Sequence, residues 1–273
     1  MLFPSRGRPG ECEFENVSFA HIIAAEPMEQ SMTPASLISA DISGRKDWRT
    51  AFAALRRLLS DANDTAQVFR IMRALNSGTA KSGYERLLRT QEGGRIAYER
   101  VELAERFSDP AFVRGFPDGS VGAAYAEFLA RTGHSAEGLV AVSRADWDIS
   151  REALHPYAWF RRRMRDIHDI WHVLTGYRAD DPLGEACLVA FSYAQTRGLG
   201  WGLIALGAGF RAVRSPIPGP ALRALYQGYR HGRRAAWLLG EDYERLLAEP
   251  LAHARQRLGI GEPTAYRAIR ELP

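Results

Sequence analysis

Four residues of metal-binding type stand close together in the sequence, at His168, Asp169, His172 and Glu185. Two imidazoles four residues apart on a helix share one face, so both can reach a single ion, and the carboxylate between them can add an oxygen ligand. These three side chains fall on one arc, beside an apolar stripe of the same helix. The spacing predicts a divalent metal site, and a pair of structural or surface histidines is the alternative interpretation. The remaining histidines have no partner at this spacing and are interpreted as capping or solvated side chains: His21, His134, His155, His231 and His253.

Glu185 reaches the other three residues only if the chain reverses before it. Gly176 and Pro182 interrupt the helical pattern and predict such a turn, because glycine commonly ends helices and proline commonly starts them. Glu185 then lies near the first turn of the next helix, where the helix dipole stabilises a carboxylate. Asp180 and Asp181 are rival ligands, although acids in loops are usually solvated.

Mixed histidine and carboxylate ligands suit several ions. We expect Zn²⁺, with Fe²⁺ and Mn²⁺ as alternatives. The same helical spacing occurs in zinc peptidases, where a glutamate after the first histidine is the general base. Asp169 holds that position here and is one methylene shorter, which makes a hydrolase a poor fit.

The elements that must position these residues are helices. Apolar residues recur at spacings of three and four from Asp47 onward, and sustained period-two alternation is absent. The pattern predicts an all-α fold, a multi-helix bundle with the metal site between two consecutive helices. We expect a single helical domain over residues 46–273, after a poorly ordered, proline-punctuated extension over residues 1–45. The predicted helices cover about 48–59, 68–75, 82–89, 92–106, 121–131, 155–176, 184–197, 221–239 and 241–258.

Composition places the chain among ordinary globular proteins. Its 36 Lys and Arg residues exceed its 32 Asp and Glu residues by only four, which is weak support for nucleic acid binding, and we expect no nucleic acid partner. Cys12 and Cys187 are far apart, which argues against a disulfide scaffold. No stretch reaches the roughly 18 continuous apolar residues of a transmembrane helix. We therefore expect a soluble or peripheral protein in a reducing compartment.

Around the metal motif, the sequence resembles the ubiquinone (coenzyme Q) biosynthesis protein 4 family. That family's pattern is His-Asp, two residues, His and a later Glu. His168, Asp169 and His172 match it, and Glu185 follows one residue further along than usual. The extra residue lies in the loop before the next predicted helix. An insertion there adds little to the entropic cost of closing the loop. The resemblance extends over roughly residues 48–260, and its other matching segments are 116–122, Tyr125, Phe128-Leu129, Arg165, Gln195-Thr196, Gly198-Leu199 and 243–260.

The resemblance implies an all-α fold, a divalent metal on the four motif residues and an isoprenoid lipid substrate at a membrane surface. With it, we expect a cytoplasmic protein that is peripheral on the inner face of the membrane. It implies removal of the ring C1 carboxylate of a polyprenylated hydroxybenzoate precursor, with a hydroxyl installed there. Other ubiquinone biosynthesis proteins and a second copy of the chain are the expected protein partners. The alternative is a non-catalytic, lipid-binding scaffold with a structural metal. Arginines at 161–163 and 230–234 could face anionic lipid headgroups or simply be solvated.

Within that reaction we assign catalytic roles to His168, Asp169 and Arg165. Arg165 lies one turn before His168 and could clamp the substrate carboxylate, and the alternative is an ordinary solvated base. A polyprenyl tail needs an apolar groove, which the glycine-rich segment over 191–209 could provide, with tight core packing as the alternative. The predicted groove residues are Phe191, Tyr193, Gly198 and Trp201.

Overall fold

The computed structural model describes residues 46–60, 66–76, 78–132 and 155–271. The predicted extension over residues 1–45 lies outside this part of the chain. Within it every regular element is a helix, and Ser120 and Pro250 form an isolated bridge, so the predicted all-α fold is confirmed. In these ranges no helix has the length and apolar character needed to cross a membrane. The helices are α1 (Trp48–Ser60), α2 (Ala66–Leu75), α3 (Thr79–Leu87), α4 (Gln91–Glu99), α5 (Leu103–Ser108), α6 (Pro110–Arg114), α7 (Val121–Thr132), α8 (Pro156–Asp166), α9 (His168–Thr175), α10 (Pro182–Thr196), α11 (Leu199–Val213), α12 (Pro218–Arg234), α13 (Tyr243–Ala248), α14 (Leu251–Arg257) and α15 (Thr264–Arg270), with a 3₁₀ turn at Leu238–Gly240.

Buried apolar side chains form two clusters. The larger one surrounds α9 and includes Phe160, Ile170 and Leu174, each with no exposed surface. The smaller one lies between α1, α2 and α11 and includes Ala51 and Ile71. The short helix that carries the two motif histidines therefore lies inside the larger cluster, where packing on all sides fixes its orientation.

Helices α10 and α12 approach each other closely because α12 carries glycine where they meet. A Cβ atom on Gly228 would lie 2.5 Å from the carbonyl oxygen of Cys187, and one on Gly232 would lie 2.5 Å from that of Phe191. These distances leave no room for a side chain. The contact holds α10, and with it Glu185, firmly against α12.

A buried amide ties the end of α10 to the end of α12. Gln195 is 4% exposed, donates to the carbonyl oxygens of Gly232 (2.8 Å) and Ala236 (3.0 Å), and accepts from the N–H of Leu238 (2.9 Å). Both N–H donors and the carbonyl oxygen of the amide are therefore used. This residue, part of the segment similar to the family, has a structural role here.

Replacing Gln195 with methionine, which keeps its length, should lower the free energy of unfolding by about 3 kcal/mol, because buried groups at Gly232 and Leu238 lose their partners. Urea denaturation followed by circular dichroism measures the change. Gln227 is the matched control, since its amide makes similar bonds to α15 near the surface. Gln227→Met should cost less than about 1 kcal/mol because water replaces those bonds. Equal losses in the two variants would contradict this account.

Four of the predicted helices are wrong in their bounds because each is interrupted. The one expected over 221–239 ends at Arg234, and a 3₁₀ turn follows at Leu238–Gly240. The expected helix over 155–176 is two helices, α8 and α9, which meet at Ile167. The helix expected over 92–106 breaks at Arg100, whose φ is 47°, and the one over 241–258 breaks at Pro250, just before α14. Apolar spacing continues across each break, so periodicity alone could not reveal the interruptions.

Helix α11 is absent from the predicted helices because its sequence is rich in glycine, which lowers helix propensity. Its tertiary contacts compensate for that weakness. A Cβ atom on Gly200 would lie 2.7 Å from Met72 Sδ, and one on Gly207 would lie 2.9 Å from Leu55. The glycines thus allow α11 to pack closely on α1 and α2.

Candidate metal centre

Helix α9 is short and enclosed on all sides. Its eight residues, from His168 to Thr175, are all buried, and α7, α8, α10 and α14 contact them. The three side chains were expected on an arc beside the apolar stripe of their helix. That expectation is wrong in one respect, because every side of α9 is buried and the arc lies within the core. Polar groups in such surroundings need hydrogen bonds, opposite charges or an ion.

The end of α9 and the start of α10 determine where Glu185 lies. Gly176 ends α9 with a φ of 76°, and its N–H donates to the carbonyl oxygen of His172 at 2.9 Å. Asp181 caps α10 by accepting from a backbone N–H at 3.2 Å, and Pro182 is the first helical residue. The predicted reversal is therefore present, and it places Glu185 in the first turn of α10.

Three of the four predicted ligands converge on one point. One nitrogen each of His168 and His172 and one carboxylate oxygen of Glu185 lie within 4.8 Å of one another. The distance from His172 Nε2 to Glu185 Oε1 is 3.2 Å. Asp169 lies at the edge of this group, with its Oδ1 3.8 Å from His168 Nδ1. We call these four residues the metal cluster.

The rival carboxylates have other partners. Asp180 forms an ion pair with Arg178, and the hydrogen bonds from that guanidinium lower the pKa of Asp180 to about 2. Asp181 caps α10 and accepts a hydrogen bond from the Tyr266 hydroxyl at 2.5 Å. Glu185 is therefore the carboxylate that the turn places beside the histidines.

The backbone orients the His172 ring. Its Nδ1 lies 2.8 Å from the carbonyl oxygen of Tyr177, so that Nδ1 carries a proton and donates it to that oxygen. Nε2 faces Glu185 and can bind a proton or a metal ion there. Burial lowers the pKa of this imidazole, but Glu185, Asp169 and the Tyr177 carbonyl raise it, and the net direction is upward. A proton and a metal ion therefore compete for Nε2.

Aromatic rings cover both imidazoles. The Phe128 ring stacks on His172 with centroids 5.7 Å apart and planes at 18°, and the Trp201 ring stacks on His168 at 5.7 Å and 8°. Phe128 comes from α7 and Trp201 from α11, so two separate helices close the cluster. Their rings exclude water, which strengthens electrostatic interactions inside.

The Tyr125 hydroxyl is a further buried group near the metal cluster. Tyr125 is 1% exposed, and its hydroxyl has no hydrogen-bond partner within the described part of the chain. Burial raises the pKa of this hydroxyl well above its usual value, and the charges of Asp169 and Asp166 raise it further. The hydroxyl therefore stays protonated and can donate a hydrogen bond to a ligand of the site.

The donor set suits a divalent ion. Nitrogen and oxygen ligands lie about 2.1 Å from Zn²⁺, so that ligand atoms of a tetrahedral site are about 3.4 Å apart. The 3.2 Å between His172 and Glu185 is close to this value, and the 4.8 Å limit of the group requires only small side-chain movements. Glu185 and Asp169 also bring two carboxylates into the interior, whose charges a divalent cation would neutralise.

A cleft of about 190 Å³ reaches His172. Its walls come from α7, from the end of α9 with the loop that follows, and from the start of α14, and Glu127, Arg131 and Arg178 are its charged residues. A cavity of about 150 Å³ can hold benzene. The cleft is therefore large enough for one aromatic ring.

Arg165 belongs to α8 and not to the helix of the histidines. Its guanidinium lies 2.9 Å from the carboxylate of Asp166, which is 2% exposed. Arg165 and His168 therefore lie on two helices that meet at Ile167. The catalytic role of Arg165 stays a prediction.

The arginines at 161–163 do not form the lipid-facing run that was one expectation. Arg162 pairs with Glu102 at 2.6 Å. Arg163 is 3% exposed and donates to the carbonyl oxygen of Glu241. Two members of this run therefore bind acceptors within the fold.

Of the four predicted groove residues, Trp201 contacts the metal cluster and the others pack within the fold. Phe191 has no exposed surface and lies with its edge toward Trp171 at 5.8 Å, which supports the core alternative. Tyr193 stacks on a tyrosine of α12, and Gly198 packs against the residue that follows α2. A lipid groove built on these residues stays a prediction.

The other histidines have varied surroundings. His155 caps α8 by accepting from a backbone N–H at 3.3 Å, and His253 is exposed, as expected. The interpretation of His231 as solvated is wrong, because it is 9% exposed and packs against Gly261. His21 and His134 lie outside the described residues.

Sequence reasoning did not identify Tyr125, Phe128 or Tyr177 as site residues. Tyr125 and Phe128 do belong to a segment similar to the family, and that similarity was an available signal. Tyr177 acts through its backbone carbonyl, which no side-chain pattern reveals.

Comparison with known sequences shows which proteins this chain is similar to. Residues 50–264 match the sequence profile described as coenzyme Q (ubiquinone) biosynthesis protein Coq4. A Bos taurus protein named ubiquinone biosynthesis protein COQ4 homolog, mitochondrial, is 31% identical over 190 residues, which cover 68% of this chain and 67% of that protein. A mitochondrial coq4 protein of Pyrenophora tritici-repentis is 30% identical over 193 residues, covering 68% of this chain and 62% of that protein.

A solved structure has a similar fold. The crystal structure of a Nostoc punctiforme protein, described there as a ubiquinone biosynthesis protein, aligns with a TM-score of 0.54 and 20% identity. The alignment covers 80% of this chain and 100% of that one. At this identity the likeness concerns the fold alone.

Proposed function

Because the chain belongs to the coenzyme Q (ubiquinone) biosynthesis protein Coq4 family, we propose that its metal cluster removes the ring C1 carboxylate from a polyprenylated hydroxybenzoate precursor. The family's role is in ubiquinone biosynthesis. The reaction, the metal dependence and the work at a membrane surface are our proposal. The observation that carries it is the buried convergence of His168, His172 and Glu185 within 4.8 Å.

The chain's own residues would hold the ion and the substrate. His168, His172 and Glu185 would bind a divalent ion, with Asp169 as a fourth ligand or as the group that orients His168. When bound, the ion would supply Lewis-acid chemistry, stabilising negative charge on a substrate oxygen. The cleft beside His172 would hold the ring, while Phe128 and Trp201 exclude water.

Decarboxylation needs no oxidant if a proton replaces the carboxylate on the ring. The bond from C1 to the carboxylate carbon breaks, CO₂ leaves, and C1 takes a proton with the remaining electron pair. Installing a hydroxyl at C1 requires dioxygen as oxidant, together with a redox-active ion or a partner flavoprotein. Zn²⁺ has no redox chemistry, so the identity of the ion separates the two outcomes.

Metal analysis of protein purified without oxygen, combined with a CO₂-release assay on a synthetic prenylated hydroxybenzoate, tests the proposal. We expect one divalent ion per chain and CO₂ release that stops on chelation and returns with the ion. Zn²⁺ with a protonated ring as product supports simple decarboxylation, and Fe²⁺ with a hydroxylated ring supports the oxidative reaction. A metal-loaded protein that releases no CO₂ under either condition would contradict a catalytic role.

A scaffold with a structural metal is the second candidate, because the cluster joins α9 to α10 inside the main core. The variants His168→Ala and Glu185→Ala distinguish the two functions. If both retain the melting temperature of the unaltered chain while quinone production stops, the cluster is catalytic. If both lose folded structure, and metal-dependent turnover is absent from the unaltered chain, the scaffold is correct.

The location and the partners of this chain are proposals that rest on its membership of the family. The relatives named above are mitochondrial, whereas the sequence led us to expect a cytoplasmic protein on the inner face of a membrane. For this chain we keep that location as a proposal, together with other ubiquinone biosynthesis proteins and a second copy of the chain as partners. Fractionation of the source cells tests the location directly.

A further inference from the structure

Two buried tyrosines, Tyr125 and Tyr177, have hydroxyls without a hydrogen-bond partner in the described part of the chain. Each residue is 1% exposed. Such hydroxyls are rare in folded proteins, because burial removes water and leaves the donor unsatisfied. The equally buried Tyr243 shows the usual arrangement, since its hydroxyl accepts from Trp171 Nε1 at 2.7 Å and donates to the carbonyl oxygen of Leu238 at 3.1 Å.

The charges around the two unpartnered hydroxyls differ. Burial raises the pKa of both groups. Negative charge raises the pKa of Tyr125 further, from Asp169 first and then from Asp166, whereas the charges that act on Tyr177 belong to groups outside the metal cluster. Neither Asp169 nor Asp166 accepts a hydrogen bond from Tyr125. Tyr125 therefore lies near an acidic member of the metal cluster with its hydroxyl unused.

Aromatic contacts fix the Tyr125 ring beside the metal cluster. The ring stacks on Phe128 with centroids 6.3 Å apart and planes at 16°, and Phe128 in turn stacks on His172. Phe107, from α5, packs on the Tyr125 ring in an edge-on arrangement with centroids 5.5 Å apart. Both phenylalanines are buried. Because close-packed rings hold Tyr125 on two sides, the fold determines where its hydroxyl lies.

We propose that the Tyr125 hydroxyl donates a hydrogen bond to an anionic oxygen of the molecule bound at the metal cluster. The acceptor belongs to an aromatic carboxylate or phenolate, since the cleft beside His172 has room for one ring. A hydrogen bond to a charged oxygen is stronger than one between neutral groups, and a low local dielectric strengthens it further. Tyr125 would then favour ligands that bring an anionic oxygen over ligands that bring no acceptor.

The Asp169 carboxylate is the alternative acceptor, because a side chain that binds an ion can move as the ion enters. Tyr125 would in that case orient a metal ligand and not the bound molecule. Loss of the hydroxyl would then lower the affinity for the ion, whereas in our proposal it lowers the affinity for the bound oxygen. The inference rests on the metal cluster of the proposed function, but it does not require CO₂ release.

Titration calorimetry of the full chain, loaded with Zn²⁺, tests the inference with 4-hydroxybenzoate and imidazole as probes. Both probes bind metal ions, but only 4-hydroxybenzoate offers an anionic oxygen. Tyr125→Phe removes the hydroxyl and keeps the ring. It should weaken 4-hydroxybenzoate binding about tenfold or more and leave imidazole binding unchanged. Metal content after gel filtration should be unchanged, and the melting temperature should be equal or higher, because the lost hydroxyl had no partner.

Tyr243→Phe is the matched control, because it removes a hydroxyl that is equally buried but bonded within the fold. It should lower the melting temperature and leave the affinity for both probes unchanged. The two variants thus distinguish a hydroxyl that acts on a bound molecule from one that supports the fold.

Four results would overturn the inference. They are unchanged 4-hydroxybenzoate affinity in Tyr125→Phe, an equal loss of imidazole affinity in that variant, loss of its metal ion, which would assign the hydroxyl to Asp169, and a loaded, unaltered chain that does not bind 4-hydroxybenzoate. The proposed reaction fails separately if the loaded chain binds 4-hydroxybenzoate through Tyr125 but releases no CO₂ from the prenylated substrate. A chain that retains no metal ion would overturn both.

Discussion

Replacing His172 with alanine is expected to abolish metal retention and, with it, metal-dependent turnover. Structural zinc sites contribute about 10–16 kcal/mol of binding free energy from about four ligands, so the loss of one ligand from a comparable site should weaken binding about a hundredfold or more. His172 would be the central ligand, since its Nε2 lies 3.2 Å from Glu185 and its Nδ1 is held by the Tyr177 carbonyl. Metal content after gel filtration measures the effect.

His253→Ala is the matched control for this experiment. The His253 side chain is 64% exposed and lies beside Glu249, so its removal should leave metal content and turnover unchanged. Glu185→Gln adds a second test, because it keeps the side-chain volume and removes the negative charge that would attract the ion. It should also release the metal. Full metal occupancy in His172→Ala would refute the site as we describe it.

Gly228→Ala is expected to produce a large loss of stability, although it adds a single methyl group. The added Cβ would lie 2.5 Å from the backbone oxygen of Cys187, and neither helix backbone can yield without separating α10 from α12. Overpacking of this kind costs about 3 kcal/mol or more. Urea denaturation gives the free energy of unfolding. Because α10 carries Glu185, metal affinity should fall in the same variant.

Gly209→Ala is the matched control for the glycine prediction. Gly209 also lies inside a helix, but a Cβ atom there would meet nothing within 4 Å. Alanine should therefore stabilise α11, by about 0.5–1 kcal/mol, because it restricts the unfolded chain and favours helix. If Gly228→Ala were as stable as Gly209→Ala, the close approach of α10 and α12 would be disproved.

The sequence was sufficient for the class of fold and for most of the residues that converge at the candidate metal site. Two histidines four residues apart share a face of any helix, so His168 and His172 converge whatever surrounds them. The turn that returns Glu185 is also local, because Gly176 adopts a positive φ and Pro182 starts a helix.

Tertiary structure decided what encloses those residues. Phe128 and Trp201 reach the imidazoles from helices far away in the chain, and periodicity within one helix says nothing about which neighbour its faces meet. Periodicity did not reveal the break at Ile167 either, because apolar spacing continues through it.

The contrast is greatest at the metal cluster itself. His168, Asp169, His172 and Glu185 were determined by the sequence as a group, because local geometry brings them together. Their burial and the aromatic rings that cover the imidazoles were decided by contacts between distant segments. Such contacts depend on how whole helices fit together, which no local pattern of residue types encodes.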